Sequence, residues 1–422
     1  MKKLLVRASK TPFDVLSDGP IPPWGHRRVW EAHRHDGTKN YGNLVFAHSA
    51  YKVLSSPKND LDVDNYQLSL SDDFGRTADR INNTYHSFVI PLCNTFRVPY
   101  KHALARITRN LKMLKIPCIV TGVGAQVSFG GTFSELRAIE REAKDFVAAV
   151  LDRSESIGVR GEITRDYIVQ LGFPADRVTV IGCPSIFYNG ERMNITKRGL
   201  DRVAVNLTPM GDERIVPFIE YFERHSADVT YVPQERALMN EVGQLERSGR
   251  YPALSPMTPA SNLLRPGKLA FLTDLAPWMN FLRTQSFAIG TRIHGNLTAL
   301  ISGTPSHVIA HDTRTLELSR YNDVPHTPIT ELAGFDLRRA FERSDYTALN
   351  RNHPARTRVY ADFLERNGLD HILYDNDALD AHEARVQAAL KNAKLPGIDF
   401  RFRARQVLGR QRQRVRALLG AA

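Results

Sequence analysis

A chain of 422 residues exceeds the usual reach of a single hydrophobic core, so two domains are expected. Its 42% hydrophobic and 24% charged residues suit a globular protein, and no apolar run nears the roughly 18 residues that would cross a bilayer. The net charge of +12 points to a polyanion only until it is mapped: seven arginines between positions 401 and 416, with no acid among them, carry the excess and leave +5 for the rest.

The N-terminus, MKKLLVRASK, holds only three consecutive apolar residues before Arg7, too few for the core of a secretory signal. Cys93, Cys118 and Cys183 are dispersed and show no metal-ligand spacing, which fits a reducing compartment. The expected location is cytoplasmic.

After a start rich in Pro, Gly, His and Arg, a helix is expected from Leu44, with Asn43 as its N-cap. FVIPL at 88–92 reads as a strand and Lys101 to Leu114 as a basic amphipathic helix. IPCIVTGV at 116–123 reads as a buried parallel strand running into the Gly122–Gly124 turn. A helix at 135–153, the strand SIGVR at 156–160, a helix at 162–171 and the strand VTVIG follow. The alternation restarts near Val203: VAVNL, a helix at 215–225, DVTYVP, an irregular stretch at 240–266, LAFLT, a helix at 276–285, FAIGT, a helix at 296–303, and SHVIAH. Two such runs of strands and helices predict an α/β protein with two Rossmann-like domains facing each other across a cleft. The divisions are 1–198, 199–335, a helical segment at 336–398 packing back on the first domain, and a basic tail at 399–422.

The richest stretch is Phe287 to Leu318, FAIGTRIHGNLTALISGTPSHVIAHDTRTLEL. Ligands of a parallel sheet settle at the C-terminal ends of its strands, and here two consecutive strand ends present Arg292, His294, His311, Asp312 and Arg314. Guanidinium groups suit phosphate or carboxylate, and an imidazole can move a proton near neutral pH. An anionic small-molecule site is therefore expected, against the plainer reading of strand-end caps. Arg160, ending SIGVR, is a further candidate anion contact, or a partner for Glu162. Gly122, Gly124 and Gln126 form a loop that lets a ligand or the opposite domain approach; the loop lacks the third glycine of a dinucleotide fingerprint. Asn43 opens a helix whose free N–H groups can meet an anion or hydroxyl-rich ligand. Asp72 and Asp73 read as a solvated turn rather than a metal pair.

These residues resemble the polysaccharide pyruvyl transferase family over NYGNLVFAHSAYKVL, INNTYHSFVIP, KIPCIVTGVGAQ, SIGVRGEITRDYIVQLGF with its GCPS turn, and above all TRIHGNLTALISGTPSHVIAHDTRTLEL. The resemblance implies a fold like the glycosyltransferase type B architecture, with the first domain on the acceptor side and the second on the donor side. It implies phosphoenolpyruvate as co-substrate, a sugar or lipid-linked oligosaccharide as acceptor, and a pyruvate ketal as product; the sequence itself demands no metal, and no other cofactor is expected. On that reading Arg292 and His294 are catalytic, and Arg160, Asn43, Gly122, Gly124, Gln126, Gly295, His311, Asp312 and Arg314 bind substrate.

Two other readings stand beside it. One is a transferase of the same architecture using a nucleotide sugar. The other is a non-enzymatic protein binding polyanions or membranes. The tail has apolar positions Leu408, Val415, Leu418 and Leu419 at helical spacing. As a basic amphipathic helix it would rest on the anionic inner face of the membrane; otherwise it is solvated. No specific nucleic-acid partner is expected.

Overall fold

The computed structural model describes residues 1–21, 39–208, 212–225, 227–238, 263 and 267–393. The tail at 399–422 and all of the 240–266 stretch except Leu263 lie outside the described residues.

The N-terminal half builds a parallel sheet from β1 (Lys2–Val6), β2 (Asn59–Val63), β3 (Ser87–Pro91) and β4 (Cys118–Thr121) in the order β2-β1-β3-β4. A single parallel bridge, Val123 to Val159, continues it into β5 (Ile157–Val159) and β6 (Val178–Val180). Between strands run α1 (Gly42–Val53), α2 (Gly75–Thr84), α3 (Lys101–Lys112), α4 (Glu140–Leu151) and α5 (Glu162–Gln170). The C-terminal half repeats the plan with β7 (Val203–Asn206), β8 (Val229–Tyr231), β9 (Phe287–Gly290), β10 (Ser306–Ala310) and β11 (His326–Pro328), ordered β11-β10-β9-β7-β8. Its helices are α6 (Val216–Arg224), α7 (Leu275–Arg283), α8 (Ile293–Ile301) and α9 (Thr313–Tyr321). Then come α10 (Leu337–Arg343), α11 (Thr347–Arg366) and α12 (Asn376–Lys391).

Both sheets are parallel and doubly wound, as two Rossmann-like units require. In each, chain order reverses between the first and third strands of the unit, at β1/β3 and at β7/β9. Such a switch point opens a crevice beyond the strands' C-terminal ends, because the two flanking connections leave on opposite faces.

One apolar cluster binds the halves together. It joins Leu4, Val6 and Val89 of the first sheet and Phe46 of α1 to Ile293, Leu297 and Leu300 of α8 and Val308 of β10. Tyr360, Phe363 and Leu364 of α11 belong to the same cluster, and Tyr360 stacks on Phe187 at 5.0 Å. Burial of each such side chain contributes about 1.5–3 kcal/mol, so the floor of the cleft is a continuous core. Among the described residues no helix is long and apolar enough to cross a membrane.

Several local expectations shift. Asn43 is the second residue of α1, not its cap: the residue before the helix makes no side-chain cap bond, and Asn40 Oδ1 takes the Gly42 N–H at 2.8 Å. LAFLT is not a strand; Leu269 makes one isolated bridge to Tyr231. Phe133–Ile139 is a 3-10 turn, and the α-helix begins at Glu140. Strands β1 and β2 escape periodicity: KKLLV and NDLDV are short, and each mixes charged with apolar residues.

Gly290 has φ of +153°, and a Cβ there would sit 1.8 Å from the Asn206 carbonyl oxygen of the neighbouring strand. Gly290→Ala is expected to lower stability by about 4 kcal/mol or more, read from its urea midpoint, because backbone must move to admit the methyl.

Candidate active site

The two switch points face each other. Beyond β1 comes Arg7, beyond β3 come Cys93, Asn94 and Arg97, and beyond β9 come Arg292 and His294. All six line one cavity of about 380 Å³ between the units. Lys39, Arg106 and Arg314 add to its charge, and no carboxylate is among its described lining residues. Arg7 is oriented by bonds from Nε to Ser69 Oγ (2.8 Å) and from Nη1 to the Pro91 carbonyl (3.2 Å), over the Tyr66 ring. The Nε groups of Arg97 and Arg314 are buried without a hydrogen-bond partner. A buried donor left unsatisfied costs about 1–3 kcal/mol, which an arriving anion would recover.

Arg292 is the residue before α8 and is held at three points. Its backbone N–H donates to Asn206 Oδ1 (2.8 Å), its Nε to the Leu207 carbonyl (3.1 Å), and its Nη2 pairs with Glu235. Burial, reinforced by Arg314, lowers its pKa to about 10, so it stays cationic at neutral pH. Gly42 and Gly295 allow this packing: a Cβ at either would fall 2.3 or 2.6 Å from the Gln234 amide.

His294 lies in the first turn of α8 with its ring tilted against Phe46 at 5.3 Å. Burial, and then Arg160, Arg314 and Arg292, drive its pKa well below the ordinary value. The imidazole is therefore neutral, because a further cation among guanidinium groups out of water is unfavourable.

Arg160 does not line the cavity. It is fully buried, donating from Nε to the Gly122 carbonyl (2.6 Å) and from Nη2 to the Leu92 carbonyl (3.2 Å). Glu162 instead pairs with Arg165. Gly122 and Gly124 sit behind the cavity: a Cβ at Gly122, whose φ is +73°, would meet Pro184 at 2.7 Å, and one at Gly124 would meet Arg160 at 2.9 Å. Asn43 does line the cavity.

A second cavity of about 420 Å³ shares Arg97 with the first and holds Gln126, Ser128, Phe129, Glu135, Asp212, Arg214, His311 and Asp312. Asp312 is the N-cap of α9, accepting from the Thr315 N–H at 2.8 Å. It lies 3.5 Å from His311 and 3.2 Å from Arg314. Burial raises its pKa, but Arg314 and His311 outweigh that and hold it below the ordinary value. Burial lowers His311 to about 4. Asp72 is exposed and paired with Arg106 and Arg109, and no cluster of three metal-ligating side chains occurs among the described residues.

Residue order alone did not single out Arg7, Lys39, Arg97 or Arg106. Arg7 carried the same signal as Arg160, an arginine at a strand end, but the strand before it was not recognisable.

The family sequence model for polysaccharide pyruvyl transferase matches residues 40–313, more than half of the chain. The chain belongs to the polysaccharide pyruvyl transferase family. No curated protein sequence matches it. Among solved structures, the UDP-GlcNAc 2-epimerase of Methanocaldococcus jannaschii in complex with UDP-GlcNAc and UDP is 10% identical, with 86% of this chain and 100% of that one covered and a TM-score of 0.45. The Neisseria meningitidis UDP-GlcNAc 2-epimerase bound to UDP-GlcNAc is 9% identical, with 92% and 100% covered and a TM-score of 0.38. Anabaena HepE in complex with UDP and glucose is 10% identical, with 92% and 100% covered and a TM-score of 0.39. These resemblances carry no ligand over to this member of the family.

Proposed function

We propose that the protein transfers the pyruvyl group of phosphoenolpyruvate to two hydroxyls of a sugar on a polysaccharide or its lipid-linked precursor, forming a ketal. The observation that carries this reading is the gathering of six cationic side chains, with no carboxylate among the described lining residues, where two switch points face each other. Phosphoenolpyruvate brings a phosphate and a carboxylate to such a place, and guanidinium forks match both.

In the overall reaction the enol carbon gains two C–O bonds to the sugar and loses its bond to the phosphate oxygen. Of the two hydroxyl protons released, one ends on the methylene carbon, making a methyl, and the other on phosphate. Charge concentrates on the departing phosphate while the central carbon becomes oxocarbenium-like. Fixed guanidinium groups at Arg292 and Arg314 stabilise the first without reorganising. His294 contacts the bound anion as a neutral hydrogen-bonding group. The second cavity, opening beside Arg97, is where the acceptor sugar would present its hydroxyls.

The test is incubation with phosphoenolpyruvate and a panel of free and lipid-linked glycans, following phosphate release together with the mass of the glycan. A ketal on any glycan is the expected result; phosphate release without glycan modification, or no reaction with any acceptor, overturns the reading. Arg97→Ala is expected to raise the KM for phosphoenolpyruvate about 10–100-fold, since a charge-assisted bond is worth about 1.5–3 kcal/mol. Steady-state kinetics with phosphoenolpyruvate as the varied substrate check it.

A further inference from the structure

We infer that Arg160 is a positioning residue rather than a substrate ligand: it fixes His294 as the neutral tautomer with its hydrogen on Nδ1. Arg160 Nη2 lies 3.5 Å from His294 Nε2, and the Cys183 thiol lies 3.8 Å from the same nitrogen. A guanidinium is always protonated and has no acceptor, so a bond between these two requires a bare Nε2. The hydrogen of the neutral ring then sits on Nδ1, where it serves as a donor toward an anion in the cavity that His294 lines. In water the opposite tautomer, with hydrogen on Nε2, is the commoner one. The inference rests on the proposed role of His294, but it concerns a property of the free protein.

Arg160 cannot easily turn away. It is fully buried, and its Nε and Nη2 are tied to the Gly122 and Leu92 carbonyls of the first unit. Opposite it stands Glu317, buried on α9 of the second unit, whose two carboxylate oxygens accept the Thr164 N–H (3.1 Å) and hydroxyl (2.8 Å). The same hydroxyl accepts the Ala125 N–H at 2.9 Å. Glu317 thereby satisfies a free N–H in the first turn of α5, four residues after Arg160. One unit reaches across to cap a helix of the other, while Arg160 reaches back to the imidazole. Gly161 makes room for this, since a Cβ there would lie 2.8 Å from Glu317 Oε2. His294 is held from the first unit by Phe46 of α1, 5.3 Å from its ring, and on its own helix its carbonyl accepts the Thr298 hydroxyl at 2.6 Å.

The experiment is a long-range 1H–15N correlation spectrum of the full-length, histidine-labelled protein at pH 7.5 without ligand, with His294 assigned from the signals lost in His294→Asn. The expected pattern is a protonated Nδ1 and a bare Nε2; a hydrogen on Nε2, or an imidazolium, overturns the inference. Because no substrate is used, this outcome is independent of whether pyruvyl transfer is the reaction. A second arm uses Arg160→Lys, which preserves the charge, and checks folding by circular dichroism. It is expected to lower kcat about 10–100-fold, as for other residues that orient a functional imidazole, while leaving the KM for phosphoenolpyruvate within about threefold. If Arg160→Lys does not fold, the wild-type spectrum still decides. A KM raised without loss of kcat would make Arg160 a substrate ligand and overturn the assignment.

Discussion

Replacing Arg292 by alanine is expected to reduce kcat/KM for phosphoenolpyruvate by about a thousandfold or more. Removing one preorganised donor from a developing negative charge typically costs about 10²–10³, and Arg292 has a second role. It is the ion-pair partner of Glu235, of which only one oxygen has another neighbour, the Asn40 amide at 3.4 Å. The other carboxylate oxygen is buried with no hydrogen bond. Arg292→Ala therefore leaves a carboxylate facing an anion site, which both repels substrate and destabilises the fold. Charge and chemistry are separable by a double variant. Arg292→Gln with Glu235→Gln should restore the urea midpoint to near the wild-type value while transfer stays lost. Glu235→Gln alone should tighten phosphate binding, because Arg292 no longer divides its fork between a carboxylate and the ligand. Wild-type transfer by Arg292→Ala would remove the site.

The second large effect is acid unfolding. His48, His311 and His353 are lowered to about 4, His307 and His382 to about 3, and His294 well below its ordinary value, in each case chiefly by burial. The unfolded chain takes up protons on all six near pH 6.5, whereas the folded chain does not until well below that. The stability these groups supply is thus present above pH 6.5 and is lost as pH falls toward 4. Each contributes up to about 1.4 kcal/mol per pH unit. Glu317 and Asp64 act the other way. Burial raises them to about 7 and about 6, so the fold keeps protons that the unfolded chain releases above about pH 4.5, and their penalty fades on acidification. Two of the six histidines are offset over that range. The net slope remains about 4–5 kcal/mol per pH unit between pH 6 and 4.5, enough to consume a typical total stability of about 5–15 kcal/mol. Urea midpoints measured from pH 7.5 to 4.5 should fall steeply below pH 6. A flat profile would mean that these imidazoles are not held neutral.

The histidines also show how a residue's type misleads when its surroundings are unknown. His307 bonds Ser344 and Thr327 through both ring nitrogens, and His353 stacks on Phe187 while meeting the Gly190 carbonyl. Among the described histidines only His294 lines the anion cavity, and it enters neutral. The proton-moving role expected of a histidine near pH 7 presumes a solvated ring, and burial among arginines withdraws that presumption.

What residue order alone determined is the repeated alternation of short apolar runs with amphipathic helices, and with it two parallel sheets and an Arg-x-His at a strand end. Parallel strands buried on both faces must be apolar throughout, so β4, β7 and β9 announce themselves, and the loop after such a strand must reach the ligand edge. Only the tertiary structure decided which cations converge. Arg7, Arg97 and Arg106 meet Arg292 because two switch points are turned toward each other over a shared core, a relation among residues nearly three hundred positions apart. It likewise sent Arg160 inward and Arg7 to the cavity, although both end strands. The direction of a strand-end side chain is set by what packs over it: Glu317, Gly124 and Gly161 close around the one, and the gap between the units lies open before the other.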